Sequence, residues 1–239
     1  MKDNSVLITG GSQGIGAGIA KRLSADGYKI IVVDIVEPEN EFKGDYFKVD
    51  LTDTKAAGRI LKEINKRYSV TRLVNNVGIV KPALLEDTSL EDFSDVINLN
   101  ARTALMCMQA VLPVMRKLHF GRIVSITSRA VLGKELRTAY SASKGAIAAM
   151  SRTWALELAG DGITVNAVAP GPIETDTFRK NNPSEDLRTR SIVSSVPVKR
   201  LGTPADVAQA VSFFLDERTG FITGQTLYVC GGITVGFTG

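Results

Sequence analysis

Val6-Leu7-Ile8-Thr9-Gly10-Gly11-Ser12-Gln13-Gly14-Ile15-Gly16 runs from apolar residues into a glycine turn, and a helical pattern through Ile19, Ala20 and Leu23 then stops at Asp26-Gly27. The apolar run is too short for a helix and is bounded by glycine, so it reads as a buried strand. Strand, glycine turn and helix in that order make a phosphate site. Glycine lets the backbone approach a pyrophosphate, and the helix N-terminus offers unpaired N–H groups. The spacing Gly-x-x-x-Gly-x-Gly departs from the Gly-x-Gly-x-x-Gly fingerprint, so the strand and helix around it carry the argument. Gly10, Ser12, Gln13, Gly14, Ile15 and Gly16 become candidate cofactor contacts.

Outward from this unit, Lys29 to Asp34 is a second strand ending on a carboxylate. A dinucleotide site places an acidic residue about 20 positions past the glycine turn, against the adenosine ribose. Asp34 would bond free ribose hydroxyls and repel a 2′-phosphate, and the following Ile35, Val36 and Glu37 bring no cation. The expected cofactor is therefore NAD(H) rather than NADP(H). Tyr46 to Leu51 reads as a third strand, with Asp50 placed to hold an adenine amino group. A helix from about Asp53 to Tyr68 and a strand opening at Arg72 lead to Asn75-Asn76-Val77-Gly78. Alternating strands and helices predict an α/β fold: a doubly wound parallel sheet (Rossmann fold) with helices on both faces, as a single domain over 1–239.

The second half carries the chemistry. A helical pattern spans Leu90 to Leu118, with Asn98, Asn100 and Pro113 as its irregular members, and an inward asparagine there would satisfy a backbone defect or a bound water. Strand five, Gly121 to Ser128, ends on a hydroxyl. In Ala139-Tyr140-Ser141-Ala142-Ser143-Lys144-Gly145-Ala146 the tyrosine and lysine share a helix face at i and i+4, among small residues that leave room for a ligand. An adjacent ammonium is expected to lower the phenol pKa toward a working range. Strand six delivers Pro170-Gly171-Pro172-Ile173-Glu174-Thr175, and the polar stretch at about 176–198 is suited to a mobile lid over the substrate.

Composition narrows the alternatives. No apolar run is long enough to span a membrane, and the N-terminus lacks the features of a signal peptide, so a cytoplasmic location is expected. Two cysteines and one histidine, His119, exclude a disulfide framework, a four-ligand metal site and a Ser-His-Asp triad, and no metal is expected. The net charge of +4 is dispersed without interleaved aromatics, which argues against nucleic acid.

Thr9 to Gly16, Asn75 to Gly78, Asn100, Ser128, Tyr140-x-x-x-Lys144 and Pro170-Gly171, in this order, resemble the short-chain dehydrogenase/reductase family over nearly the whole chain. The resemblance implies a catalytic tetrad. Tyr140 would exchange a proton with the substrate oxygen and Ser128 would polarise it. Lys144 would hold the nicotinamide ribose and depress the tyrosine pKa, and Asn100 would anchor a water in a proton relay. It further implies cofactor contacts at Asp50, Leu51, Asn76, Val77, Gly78, Tyr140, Lys144, Pro170, Gly171, Ile173 and Thr175, the last to the carboxamide. Val77 stands where relatives commonly carry alanine, and Cys230 where they commonly carry an acid.

The expected activity is NAD(H)-dependent hydride transfer to or from a secondary alcohol or ketone. Reduction of a 3-oxoacyl thioester on acyl carrier protein or coenzyme A is the alternative. A dinucleotide-binding regulator without catalysis would have no use for a titratable phenol. Apolar helices around Ala101 to Leu118 and Gly145 to Leu158 suggest a homo-oligomer, expected to be a tetramer. Arg129, Lys134, Arg137, Arg179, Lys180, Arg188, Arg190, Lys199 and Arg200 gather near the supposed mouth. They read either as an anion-steering surface for an anionic or carrier-bound substrate, or as a solvated face in which Glu135, Glu185 and Asp186 are interspersed.

Overall fold

The fold is that of a computed structural model, described for residues 4–38, 42 and 44–236. Seven parallel strands form one sheet in the order β3-β2-β1-β4-β5-β6-β7. They are β1 (Ser5–Thr9), β2 (Lys29–Asp34), β3 (Gly44–Lys48), β4 (Arg72–Asn75), β5 (Gly121–Ile126), β6 (Ile163–Pro170) and β7 (Thr226–Val229). The strand order reverses between β1 and β4, which opens a crevice beyond their carboxyl ends, where such sheets bind ligands.

Residues alternate faces along each strand, and both faces are apolar. Leu7, Ile31, Val33, Leu73 and Ile123 form one core with residues of α2 (Thr54–Arg67), α4 (Thr103–Leu118) and α5 (Thr138–Leu158). Val6, Ile8, Ile30, Val32, Val74 and Val124 form the other with α1 (Gly14–Ala25) and α8 (Pro204–Leu215). The doubly wound sheet expected from the sequence is thus present. No described helix is long and apolar enough to cross a membrane.

Two local expectations change, and the lid stretch gains helices. The third strand is displaced toward the N-terminus, because Val49 still reaches Asp34 through its N–H at 2.9 Å, but Asp50 then turns the chain by accepting from the Thr52 N–H at 2.8 Å. The single helix expected from Leu90 to Leu118 is interrupted. α3 (Leu90–Ile97) passes into a π turn at Asn98–Arg102 before α4 resumes. The polar stretch expected as a mobile lid folds into α6 (Asp176–Asn181) and α7 (Leu187–Ser195), with Thr175 and Asp186 as N-caps accepting backbone N–H bonds. Capping side chains satisfy the orphan donors of these short helices.

Candidate active site

The glycine turn sits at the crevice. A Cβ on Gly10 would stand 2.9 Å from the Val77 Cα, and one on Gly16 would stand 1.9 Å from the Gly10 carbonyl oxygen, so both glycines are required by close packing. Asn76 clamps the turn by donating from Nδ2 to the Gly10 carbonyl at 2.7 Å and to the Thr9 carbonyl at 3.1 Å. The Thr9 hydroxyl accepts from the Asn76 and Val77 N–H groups at 3.1 and 3.2 Å. At the N-terminus of α1, Gln13 supplies no side-chain cap. Gly14 has φ +54°, and a Cβ there would lie 3.5 Å from the Thr175 side chain, so the segment after β6 begins against the glycine turn. A cradle of backbone N–H groups at an uncapped helix end, walled by Thr175, fits the pyrophosphate of a dinucleotide.

Asp34 ends β2 beside this cradle. Its carboxylate accepts from the Ser12 N–H at 3.0 Å and the Ile35 N–H at 2.7 Å, and the Ser12 hydroxyl donates to the Val36 carbonyl at 2.7 Å. Asp50 is exposed, with one oxygen held by Thr52, and Leu51 beside it is buried. Across the crevice, β6 delivers Pro170 and Gly171, and Gly171 abuts Cys230 so closely that a Cβ would fall 2.8 Å from its Cα. Ile173 bridges to Gly202 and Glu174 donates to the Gly202 carbonyl at 2.8 Å, which ties together the two ends of the segment that holds α6 and α7.

The four tetrad positions converge on the carboxyl ends of β4 and β5. Ser128 caps the 3-10 turn Arg129–Leu132, its hydroxyl accepting from the Ala130 N–H at 3.1 Å. It also acts on the Tyr140 phenol. The phenol pKa is raised above the ordinary tyrosine value by burial, against which Ser128 and the Arg137 guanidinium act to lower it. Lys144 departs from expectation. Its ammonium donates to the Ile126 carbonyl at 2.8 Å, lies 5.8 Å from the Tyr140 ring centroid, and is itself lowered to about 8 by burial. Relief of the phenol therefore comes from Ser128 and Arg137, because Lys144 is spent on a main-chain oxygen and on its own desolvation.

Asn100 lies in the π turn and is 1% exposed. Its Oδ1 accepts from the Ile79 N–H at 2.8 Å, while Nδ2 donates to the Ile79 carbonyl at 3.1 Å and to the Ser143 hydroxyl at 2.9 Å. Ser143 in turn donates to the Tyr140 carbonyl at 2.8 Å. The side chain is thus engaged in bracing the loop after Gly78 against the Tyr140 helix. The bracing partners Ser143 and Ile79 were not singled out by sequence. Their roles depend on hydroxyl and backbone contacts that only the assembled helices create.

A family model described as enoyl-(acyl carrier protein) reductase matches residues 10–234. This chain belongs to the short-chain dehydrogenase/reductase family. As a short-chain dehydrogenase/reductase it is similar to the 3-oxoacyl-[acyl-carrier-protein] reductase FabG of Buchnera aphidicola, 37% identical over 98% of each chain. It is also 35% identical, over 97% of each chain, to the (2S)-[(R)-hydroxy(phenyl)methyl]succinyl-CoA dehydrogenase subunit BbsD of Thauera aromatica. Among solved structures, a Beutenbergia cavernae protein assigned as an NAD(P)-dependent gluconate 5-dehydrogenase, with NADP bound at low occupancy, superposes with a TM-score of 0.92 at 29% identity, covering 99% of this chain and 98% of that one. The chain is thus a dinucleotide-dependent oxidoreductase acting on CH–OH or keto groups.

Proposed function

We propose that the chain reduces a 3-oxoacyl thioester, or oxidises the matching 3-hydroxyacyl thioester, with Tyr140 as the proton donor and acceptor. The Lys144 ammonium 5.8 Å from the Tyr140 ring, at the carboxyl end of β5 where Ser128 caps the following turn, is the observation that carries the reading. Near full-length similarity to 3-oxoacyl carrier-protein reductases and to a succinyl-CoA dehydrogenase subunit supports the thioester over an unspecified secondary alcohol.

A bound nicotinamide dinucleotide supplies or accepts the hydride. Gly10 to Gly16 hold its pyrophosphate through backbone N–H groups, with Asp34, Asp50 and Leu51 on the adenosine side and Val77 and Gly78 beneath. Pro170, Gly171, Ile173 and Thr175 close the nicotinamide side. Ser128 donates to the substrate carbonyl oxygen, and Tyr140 delivers its phenolic proton to that oxygen as it becomes an alcohol. Lys144 presents a buried ammonium to the ribose. Asn100 holds the Tyr140 helix and the Ile79 loop in register, and any water relay passes beyond its engaged amide.

NAD(H) is the proposed partner, since Asp34 sets a carboxylate where a 2′-phosphate would lie, although the Beutenbergia relative was obtained with NADP. The protein is proposed to act as a tetramer, with exposed Leu105 on α4 and Leu156 on α5 as interface residues. The decisive experiment is turnover of acetoacetyl-coenzyme A and of small neutral ketones with NADH and NADPH. Reduction of neutral ketones alone would return the reading to a secondary-alcohol dehydrogenase, and a single-subunit mass in light scattering would remove the tetramer.

A further inference from the structure

Ser141 follows Tyr140 on α5, and its hydroxyl reaches back to the chain that leaves β5. It donates to the Ala130 carbonyl at 2.9 Å. The N–H of that same Ala130 is the group from which the Ser128 hydroxyl accepts, at 3.1 Å. Ala130 is therefore held at both of its main-chain polar groups by serine hydroxyls, and the residue is 2% exposed.

α5 grips this chain a second time, where the Lys144 ammonium donates to the Ile126 carbonyl at 2.8 Å. Ser141 and Lys144 are three apart on the helix and so share a face, while Ile126 and Ala130 lie two residues before and two residues after Ser128. Ser128 thus sits midway between two clamped carbonyls, and the helix that carries Tyr140 carries both clamps. The 3-10 turn at Arg129–Leu132 does not need Ser141 to close. Its own main-chain bonds do that, from the Val131 N–H to the Ser128 carbonyl at 3.2 Å and from the Gly133 N–H to the Ala130 carbonyl at 3.0 Å. What Ser141 adds is the position of the closed turn against α5.

That position matters for the direction of a proton. A hydroxyl has one proton and two lone pairs. With one lone pair of Ser128 committed to the Ala130 N–H, its proton points away from that group and is available to a substrate oxygen; a shift of Ala130 would carry the hydroxyl with it. The sequence marks Ser141 only as one of the small residues beside Tyr140. Alanine or glycine there would leave the same room for a ligand but could not donate to Ala130.

We propose that Ser141 is a positioning residue for the reaction: through the two main-chain groups of Ala130 it sets where the Ser128 hydroxyl stands relative to Tyr140. The inference rests on the reading of Ser128 and Tyr140 as the groups that polarise and protonate the substrate oxygen. The Ser141 proton is spent on a main-chain oxygen, so its effect reaches the chemistry only through Ser128.

The test is a double-mutant cycle, run with whichever of acetoacetyl-coenzyme A and small neutral ketones the enzyme reduces. Misplacing a reacting group by about 1 Å costs up to about a hundredfold in rate, and loosening one of two clamps should cost about tenfold. Ser141→Ala is therefore expected to lower kcat by about tenfold while KM and NADH affinity stay within about twofold, and Ser141→Thr, which keeps the hydroxyl, should restore most of the loss. In a Ser128→Ala background, Ser141→Ala should cost less than about twofold more, because its route to the chemistry is gone. Losses that multiply in the double variant, an unchanged kcat in Ser141→Ala, or equal losses in the alanine and threonine variants each overturn the proposal. A Ser128→Ala protein with wild-type turnover is a separate failure, since it removes the role of Ser128 itself and the proposal with it, whereas failure of Ser141 alone leaves Ser128 impaired by its own substitution. If none of these substrates is reduced, hydrogen exchange by mass spectrometry over residues 126–133 decides. Faster exchange there in Ser141→Ala but not in Ser141→Thr supports the clamp, and identical exchange in all three proteins overturns it.

Discussion

The Lys144 ammonium donates to the main-chain carbonyl of Ile126 at 2.8 Å, which places a cation under the substrate platform without giving it a carboxylate. Burial brings its pKa from the ordinary 10.5 to about 8. Below about pH 8 folded and unfolded chains both hold this proton; between there and 10.5 only the unfolded chain does, so stability contributed by this site rises with pH across that window. The rise is on the order of 3 kcal/mol. Lys144→Met should lack it. Urea denaturation of both proteins at each end of the window checks the sign, and parallel curves would contradict it.

Tyr140→Phe keeps the ring and removes the proton. Turnover should fall by about a hundredfold or more while NADH affinity stays within about twofold, as measured by steady-state kinetics and NADH fluorescence. Because burial raises the phenol pKa, alcohol oxidation, which needs the phenolate, should climb with pH through the neutral and mildly alkaline range, while ketone reduction stays level there. Arg137→Met removes a charge that lowers this pKa and should move the oxidation limb to higher pH.

Asp34 bears on the cofactor. Its carboxylate is anchored by the Ser12 N–H, so it cannot swing away from a 2′-phosphate without breaking that 3.0 Å bond. The wild type is expected to favour NADH over NADPH in kcat/KM, and Asp34→Ala should shrink the ratio by about tenfold. Equal efficiency with both nucleotides before substitution would remove the basis for that expectation.

Asn100→Ala should act through position. The half-buried Ile79 N–H would lose its acceptor and the Ser143 hydroxyl one of its two partners, costing about 1–3 kcal/mol of stability. Turnover should fall with little change in cofactor binding. Thermal denaturation alongside kinetics separates this from a direct role in proton transfer, which would leave stability unchanged.

Much of this molecule was legible in sequence because the signals are local. Val6 to Gly16 specify strand, turn and helix through spacing alone, and Tyr140 and Lys144 share a face through helical periodicity. What was hidden depends on contacts between distant segments. Asn98 and Asn100 pointed to an irregularity in the helix but not to a π turn in particular, and Tyr46 to Leu51 offered no sign that Asp50 would turn the chain. The lysine was expected to tune the phenol, but its partner is a backbone oxygen, which no side-chain pattern encodes. The basic residues looked alike until Glu174 paired with Arg179 and Asp206 with Arg200.

The π turn at Asn98–Arg102 fixes how chain length is counted between Leu90 and Leu118. An extra residue in a helical spiral rotates everything after it by about 100°. α3 therefore faces α5, while α4 faces α2 and β4, along what is otherwise one rod. Removing one residue there would restore a regular helix and turn one half away from its neighbours, whereas lengthening an exposed loop disturbs no such phase. Single-residue deletions in this segment are therefore expected to destabilise the fold whichever residue is removed, because the phase of the helix is what changes.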